Sequence, residues 1–207
     1  MAVLLPCCYL APVSHYCAYY RAEDVRLEVC DHFVKQTFRN RCWIDSPNGA
    51  LALTVPVVKT GAKTPMRDIR ISDHGNWRHQ HWIALESSYR QSPFFEYYAD
   101  DFAHFYEERD GFLMDFNLRL HGVISELLGL EREIKIIDNG HKATDFIDLR
   151  NIAEPKAVAD VKDYTAHQYY QVFAQRNGFI PNLSIVDLLF NMGPEGLLVL
   201  RDSVCAK

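Results

Sequence analysis

The chain has 207 residues, of which 48% are hydrophobic and 24% are charged, and its formal net charge is −5. This composition is typical of a globular protein with enough apolar residues for a full core, so we expect one domain over residues 1–207. The net negative charge gives no general attraction to polyanions, which argues against nucleic acid as a partner. The apolar run before Pro6 is too short for a signal segment or a spanning helix, so we expect no membrane insertion.

The chain contains six cysteines, and none of them forms a C-x-x-C pair. Their spacing is irregular, and several fall in predicted strands or in a predicted helix. This distribution favours buried, reduced thiols over a disulfide framework. We therefore expect a cytoplasmic protein.

The segment from Leu4 to Ile44 carries the most unusual chemistry. An apolar run, Ala2–Leu5, is followed by a loop with two prolines, a helical pattern and a second apolar run, Val25–Cys30. Two apolar strands joined by a helix favour a parallel, right-handed βαβ unit, which places ligands at the carboxyl ends of its strands. The residues that we expect at or near this edge are His15, Tyr16, Glu28, Asp31, Lys35, Asn40 and Arg41.

A hairpin and a cluster of helices follow. The turn Ser46–Gly49 lies between two apolar stretches, which predicts antiparallel strands within residues 41–58. From Asn76 to Gly129, apolar residues recur at spacings of three and four, which predicts three consecutive helices, the second beginning at Ser92-Pro93. Their aromatic and aliphatic stripes are typical of core packing.

The last third of the chain is more varied. Residues 133–137 alternate like a short strand, whereas residues 138–164 are polar and weakly periodic, with Gly140 and Pro155 as breakers. Two further helices are predicted, over residues 169–175 and 182–193.

Together these elements predict an α/β fold. We expect a mixed sheet that begins with a parallel βαβ unit, a β-hairpin, and a helical cluster over residues 76–129 packed on the sheet.

The order of short motifs along the chain resembles the WbqC-like family, found in bacterial gene clusters for O-antigen and other surface polysaccharides. The matching residues are Pro6, Tyr9, Pro12, Tyr16, Glu28, Lys35, Asn40-Arg41, Gly49, Val55-Pro56-Val57, Trp77, Tyr89, Ser92-Pro93 and Leu183 to Gly193. The chain departs from the family at His15-Tyr16-Cys17, where many relatives have Gly-Tyr-Phe.

The resemblance implies a cytoplasmic protein of O-antigen, lipopolysaccharide or other glycan biosynthesis. We expect an enzyme that modifies a glycan or nucleotide sugar by group transfer, nucleotidyl or acyl, to or from an activated, phosphate-bearing substrate. The alternative is a non-catalytic module that binds or scaffolds an enzyme of the same pathway, with the aromatic helices as its partner surface. The sequence identifies no cofactor.

The loop from Leu5 to Tyr16 connects a strand to a helix, and free N–H groups at a helix N-terminus bind phosphate or carboxylate. His15 is therefore a candidate catalytic residue, and Tyr9 is a candidate substrate ligand. The alternative is that Ser14 caps the helix and His15 is an ordinary first-turn residue.

A basic segment follows the second strand. Lys35, Arg39 and Arg41 could clamp an anionic small molecule such as a nucleotide sugar. We take Lys35 and Arg41 as candidate catalytic residues, and Glu28 and Asn40 as candidate substrate ligands. The alternative is a solvated loop with surface ion pairs.

Two other sets of reactive side chains are less favoured. Cys7-Cys8 has no base nearby in the sequence, so buried thiols are the simpler interpretation. His79 and His81 are two residues apart and point to different sides of a helix, so we expect no metal site there.

Ser184-x-x-Asp187 has the form of a capping box, which would give Asp187 a structural role. The family pattern continues to Asn191, so Asp187 and Asn191 are also candidate substrate ligands. We predict that the N-terminal loop and the Lys35–Arg41 segment line one pocket, with the helix over residues 183–193 as its third wall.

Overall fold

The computed structural model describes residues 2–61, 63–109, 111–130, 132–138, 146–154 and 164–203. It confirms the α/β class and the predicted βαβ unit. Strand β1 (Ala2–Leu5) and strand β2 (Asp24–Glu28) pair in parallel and are joined by helix α1 (Val13–Arg21).

Two edge strands complete a four-stranded parallel sheet with the order β5-β2-β1-β6. Strand β5 (Ile134–Ile137), which confirms the strand predicted there, pairs with β2, and strand β6 (Ile147–Asp148) pairs with β1. The chain runs outward from β1 through β2 to β5 and then returns to the other side of β1. The reversal between β1 and β6 is a topological switch point, where open α/β sheets bind ligands at the carboxyl ends of their strands.

The predicted hairpin is present, but it forms a sheet of its own. Strand β3 (Arg41–Ile44) and strand β4 (Leu51–Thr54) pair antiparallel around a turn in which Gly49 has a φ of 94°. The expectation of one mixed sheet is therefore wrong in this detail. The edges of the parallel sheet are taken by β5 and β6, and within the described ranges the hairpin strands pair only with each other.

The three helices predicted in the middle of the chain are confirmed as α2 (Trp77–Tyr89), α3 (Phe95–Glu107) and α4 (Leu113–Leu127). Helix α3 begins later than expected, because Ser92-Pro93 belongs to the preceding turn. The Ser92 hydroxyl donates to the carbonyl oxygen of Tyr89 at 2.6 Å, so it closes the end of α2 instead of capping α3.

Three short helices follow near the C-terminus: α5 (Ala174–Asn177), α6 (Ile185–Met192) and α7 (Gly196–Asp202). Helix α6 confirms the prediction over 182–193. The helix predicted over 169–175 is wrong for most of its length. The Gln171 side chain exchanges two hydrogen bonds with the backbone of Ile180, which holds this segment in a loop.

The aromatic stripes of the helices form the core, as predicted. Phe102 of α3 and Phe116 of α4 are fully buried, and the Phe190 ring of α6 lies 5.2 Å from that of Phe102, centroid to centroid. Residues of the parallel sheet, α1 and the hairpin belong to the same hydrophobic cluster.

Much of the polar stretch 138–164, including Gly140 and Pro155, lies outside the described residues, as does Cys205. The described part of the stretch supplies β6 and a short 3-10 helix, Arg150–Ala153. Five of the six cysteines are described; all five are free thiols, and four of these are buried. Within the same ranges, no helix combines the length and apolar character needed to cross a bilayer.

Candidate functional site

The three segments predicted to form a pocket are neighbours, but they pack against each other and bury most of their candidate side chains; Lys35 and Arg41 are the exceptions. The Tyr9 amide donates to the carbonyl oxygen of Phe38 at 2.9 Å, and the Ile185 amide donates to that of Ala11 at 2.9 Å. Every residue from Val3 to Tyr19 is buried. The loop after β1 therefore contributes to the core.

The N-terminus of α1 does not present the anion site that we expected. The Val13 amide donates to the carbonyl oxygen of Leu183 at 3.0 Å, and the Ser14 amide donates to Oδ1 of Asn182 at 2.8 Å. Pro12, not Ser14, occupies the N-cap position. Because other parts of the chain accept these hydrogen bonds, the N–H groups are not available to a phosphate.

His15 is buried within α1. Burial lowers the pKa of its imidazole to about 3, so the ring is neutral at physiological pH. Its Nδ1 atom has no hydrogen-bond partner among the described residues. The structure thus places His15 in the interior, away from the charged edge of the sheet.

Tyr9 is also a core residue. Its hydroxyl lies 2.9 Å from Nδ1 of His81 and 2.8 Å from the hydroxyl of Tyr106, and the Tyr9 side chain is fully buried. His81 is buried in this network, whereas the side chain of His79 is exposed. The two histidines therefore do not face a common metal site. Within the described ranges, no group of three or more His, Cys, Asp or Glu side chains is arranged to hold a metal ion.

The adjacent thiols Cys7 and Cys8 are buried as well. Burial raises the pKa of Cys7 to about 12 and raises that of Cys8 further, so neither is a thiolate at neutral pH. Because both thiols are buried and protonated, Cys7 and Cys8 are structural residues of the core and not nucleophiles.

The basic segment divides into residues with different environments. Lys35 is exposed, whereas Arg39 is buried and forms an ion pair with Asp31 at 2.7 Å. Asn40 is buried and donates to the carbonyl oxygen of Val55 at 2.9 Å. Arg41 lies half-exposed on the hairpin, where its Nε donates to the hydroxyl of Thr54 at 2.8 Å. Of the three basic residues, only Arg39 lines the charged cleft described below.

Asp187 is not part of a capping box. Ser184 is the N-cap of α6 and accepts a hydrogen bond from the Val186 amide, but the Asp187 carboxylate points into the core. It accepts hydrogen bonds from the hydroxyls of Tyr89 at 2.8 Å and Tyr169 at 2.7 Å. Burial raises the pKa of Asp187 to about 6.

Asn191 belongs to the same interior network. Its Nδ2 donates to the carbonyl oxygen of Asp187 at 2.8 Å, one helical turn away, and Gln171 donates to the Asp187 carboxylate at 2.9 Å. Asp187 therefore joins α6 to α2 and to the loop around Gln171, and Asn191 hydrogen-bonds to Asp187 within α6.

A charged cleft of about 430 Å³ lies where the loops after β2 and β6 meet. It is lined by Asp31, Arg39, Asp148, Arg150, Asn151 and Glu154. Asp148 ends β6 and Glu28 ends β2, so the cleft is at the carboxyl edge of the parallel sheet, beside the switch point between β1 and β6. This is the position that the topology favours for a ligand.

Ion pairs organise the cleft. Arg150 Nη2 lies 2.6 Å from the carboxylate of Asp148, and its Nη1 contacts the carboxylate of Glu28. These contacts lower the pKa of Asp148, chiefly through the hydrogen bonds from Arg150, so Asp148 stays ionised. Arg39 directs Nε and Nη2 to one oxygen of Asp31. The buried guanidinium of Arg39 is therefore held in a fixed position beside the cleft.

This set of side chains combines two kinds of recognition. Guanidinium groups bind phosphate oxygens with paired hydrogen bonds, and carboxylate and amide groups accept or donate hydrogen bonds to hydroxyls. A volume of about 430 Å³ is within the range of small-molecule sites. The cleft is therefore lined by two guanidinium groups, three carboxylates and one amide.

Sequence reasoning missed four of the cleft residues: Asp148, Arg150, Asn151 and Glu154. A weak signal was present, because the apolar pair Phe146-Ile147 is followed at once by charged and amide residues, as at the carboxyl end of a short strand. Glu28 was predicted as a ligand, and it contacts the cleft through Arg150.

Comparison with known proteins identifies relatives of this chain. The model of the WbqC-like protein family matches residues 8–139 and 135–198. An uncharacterized protein of Mycobacterium tuberculosis, Rv1507c, is 30% identical over 196 residues, covering 82% of this chain and 84% of that protein. No solved structure matches significantly. The chain is therefore a member of the WbqC-like protein family.

Proposed function

We propose that this protein is an enzyme of glycan or nucleotide-sugar modification, which transfers a group to or from an activated, phosphate-bearing substrate bound in the charged cleft. The observation that carries the proposal is the pair of positioned arginines, Arg39 and Arg150, at the switch point of a parallel sheet. Family membership supports a role in the synthesis of surface polysaccharides such as the O-antigen of lipopolysaccharide, as the sequence resemblance implies.

Arg39 and Arg150 are the proposed phosphate ligands. Both guanidinium groups are oriented by carboxylates, so their positions are fixed before a ligand arrives. Preorganised charges of this kind stabilise the transferring group without a cost of reorientation. Lys35 is exposed on the segment that carries Arg39 and does not line the cleft, so we assign it only a secondary role, the attraction of an anionic substrate.

The carboxylates are the proposed ligands of sugar hydroxyls. Asp31, Asp148 and Glu154 accept hydrogen bonds, and the Asn151 amide supplies both a donor and an acceptor. A carboxylate within reach of an acceptor hydroxyl also serves as a general base in group transfer. In this assignment His15 and Arg41 have no catalytic role, because they lie in the core and on the hairpin.

The alternative of a scaffold with an aromatic partner surface receives less support. Phe95, Phe102 and Phe105 of α3 are buried in the core, which leaves Tyr97 as the strongly exposed aromatic side chain of that helix. We also propose that the enzyme is cytoplasmic, as the resemblance to the family implies.

Thermal-shift screening tests the proposal. Purified protein is heated with a panel of nucleoside diphosphate sugars, free nucleotides, free sugars and acyl carriers. A ligand present at about 100 times its Kd stabilises the folded state by about 2.7 kcal/mol. We expect the nucleoside diphosphate sugars to raise the Tm more than nucleotides or sugars alone. No shift with any phosphate-bearing compound would contradict the proposal.

A further inference from the structure

A second cleft, of about 570 Å³, lies between α4 and β5 and shares no lining residue with the charged cleft. Its apolar walls are mainly aliphatic and comprise Leu118, Leu130, Ile134 and Ile136. Its polar and aromatic lining residues include His121, Ser125, Tyr19, Glu126 and Arg132. This cleft therefore has aliphatic walls, which the charged cleft lacks.

His121 and Ser125 form a hydrogen-bonded pair one turn apart on α4. The Ser125 hydroxyl lies 3.2 Å from Nε2 of His121, and Nδ1 of His121 lies 3.0 Å from the hydroxyl of Tyr16. In the tautomer with the proton on Nδ1, the ring donates to Tyr16 and Nε2 accepts from Ser125. A hydroxyl, a base and a group that orients the base are the components of an activated nucleophile.

Burial keeps the His121 ring neutral. It lowers the pKa of His121 to about 4, so the imidazole has one free lone pair, which lies on Nε2 in the tautomer that donates to Tyr16. A serine bonded to a histidine four residues earlier is also an ordinary way to satisfy two buried groups on a helix. Two further observations concern the space around the pair.

The first is Gly122, which lies inside α4 and lines the cleft. A Cβ atom at this position would meet nothing within 4 Å, so packing does not require glycine there. Glycine in a helix interior is destabilising relative to alanine. Gly122 is exposed, so the missing side chain leaves the cleft open to solvent beside His121.

The second observation is a small cavity that adjoins the cleft and shares Leu118, His121 and Ile134 with it. His15 and Asn117 line this cavity, and Nδ1 of His15 and Oδ1 of Asn117 are buried without a hydrogen-bond partner among the described residues. Buried polar atoms are nearly always paired in native proteins. The cavity has a volume of about 10 Å³, so the partner that fits these atoms is a single bound water beside the cleft.

We propose that the cleft between α4 and β5 binds an acyl group and that Ser125 accepts it from an ester or thioester. The aliphatic side chains of Leu118, Leu130, Ile134 and Ile136 suit an acyl chain, and the polar residues of the lining suit the carbonyl end that Ser125 would attack. This activity goes beyond the proposed glycan modification and does not depend on it.

The acylation step balances with the groups present. The Ser125 oxygen forms a bond to the acyl carbonyl carbon while Nε2 of His121 takes the hydroxyl proton. The bond between that carbon and the thiol or alcohol leaving group breaks, and His121 returns the proton to the leaving group. An acceptor hydroxyl or water then removes the acyl group from Ser125 by the reverse sequence.

The test uses the full chain with 4-nitrophenyl butyrate and, separately, an alkyl fluorophosphonate, followed by intact-mass measurement and peptide mapping. We expect one adduct, on Ser125. Ser125→Ala abolishes it, and His121→Gln slows it at least ~100-fold, the lower range for loss of a general base. Ser87→Ala, which alters an exposed serine on α2, keeps the wild-type rate.

A second variant covers the case in which His121→Gln does not fold. Gly122→Leu fills the cleft and leaves the Ser125–His121 pair in place, so we expect labelling to fall at least ~10-fold in a protein whose Tm is not lowered. An unlabelled Ser125 in the wild type, or wild-type labelling of Ser125 in folded Gly122→Leu, would overturn the proposal.

Discussion

Two loops leave the same edge of the parallel sheet, but one is buried in the core and the other lines an open cleft. The loop after β1, from Pro6 to Pro12, is buried, and its backbone hydrogen bonds join it to the 35–41 segment and to α6. The loop after β6, from Leu149 to Glu154, carries Arg150 and Asn151 into an open, charged cleft. The rule that ligands bind at the carboxyl ends of parallel strands identifies the edge, but the neighbours of each loop decide which one stays open.

The two regions also differ in the hydrogen-bond donors and the pKa values of their carboxylates. Asp187, in the interior, is satisfied by neutral donors, and its pKa is raised. Asp148, in the cleft, is satisfied by Arg150, and its pKa is lowered. The interior network holds elements together, whereas the cleft keeps charged groups in contact with solvent.

Removing the interior carboxylate should have the largest effect. Asp187→Ala leaves the buried hydroxyls of Tyr89 and Tyr169 without their acceptor and removes one of the acceptors of the Gln171 amide. Each such group costs about 1–3 kcal/mol, so we expect the free energy of unfolding to fall by about 4 kcal/mol in urea denaturation.

The matched control for that change is Asp148→Ala. This removes a half-exposed carboxylate from the cleft and should cost less than about 1 kcal/mol, as for other solvent-exposed ion pairs. Similar losses in the two variants would remove the distinction between the interior network and the cleft.

A smaller effect should appear as a pH dependence of stability. Because the pKa of Asp187 is raised to about 6 in the folded state, the folded protein binds more protons than the unfolded chain between pH ~4 and ~6. The free energy of unfolding should therefore decrease as the pH rises through this window. Relative to Asp187→Asn, we expect the wild type to lose about 2 kcal/mol between pH 4 and 7.

Guanidinium chloride denaturation of both proteins across that pH range measures the difference. Other groups titrate equally in the two proteins, so the comparison isolates residue 187. If the difference in the free energy of unfolding between the wild type and Asp187→Asn stays constant with pH, the pKa of Asp187 is not raised in the folded state.

The smallest effect is expected at the hairpin. Arg41→Ala removes a half-exposed side chain and one hydrogen bond, from Nε to the Thr54 hydroxyl. We expect a loss of less than about 1 kcal/mol in thermal or chemical denaturation. A loss of about 3–5 kcal/mol would instead be typical of a broken, buried ion pair.

Periodic sequence patterns were sufficient for the strands and helices that build the core. The apolar runs of β1 and β2 and the aromatic stripe of α3 specify their elements locally, so all three were predicted. Strand β6 has only two residues and lies in a polar stretch, so no period could reveal it. Because β6 was not predicted, the switch point between β1 and β6 was not predicted either, and Asp148 and Arg150 were not recognised as candidate site residues.

The candidate site was harder to predict because its polar residues depend on distant partners. Ser184-x-x-Asp187 has the same sequence whether the carboxylate caps the helix or enters the core, and the choice is made by Tyr89, far away in the chain. Tyr9 and His81 are joined in the same way across a long separation. Sequence spacing cannot distinguish such pairs from ligand-binding residues.

The most direct test of the charged cleft compares two arginine variants. Isothermal titration with each nucleoside diphosphate sugar of the panel is carried out on the wild type, Arg150→Gln and Arg41→Gln. Both variants lose the same charge from a half-exposed arginine, but only Arg150 lines the cleft. We predict a Kd at least ~10-fold higher for Arg150→Gln, from the loss of charged hydrogen bonds, and an unchanged Kd for Arg41→Gln. No binding by the wild type, or an equal loss in both variants, would contradict the assignment of the site to this cleft.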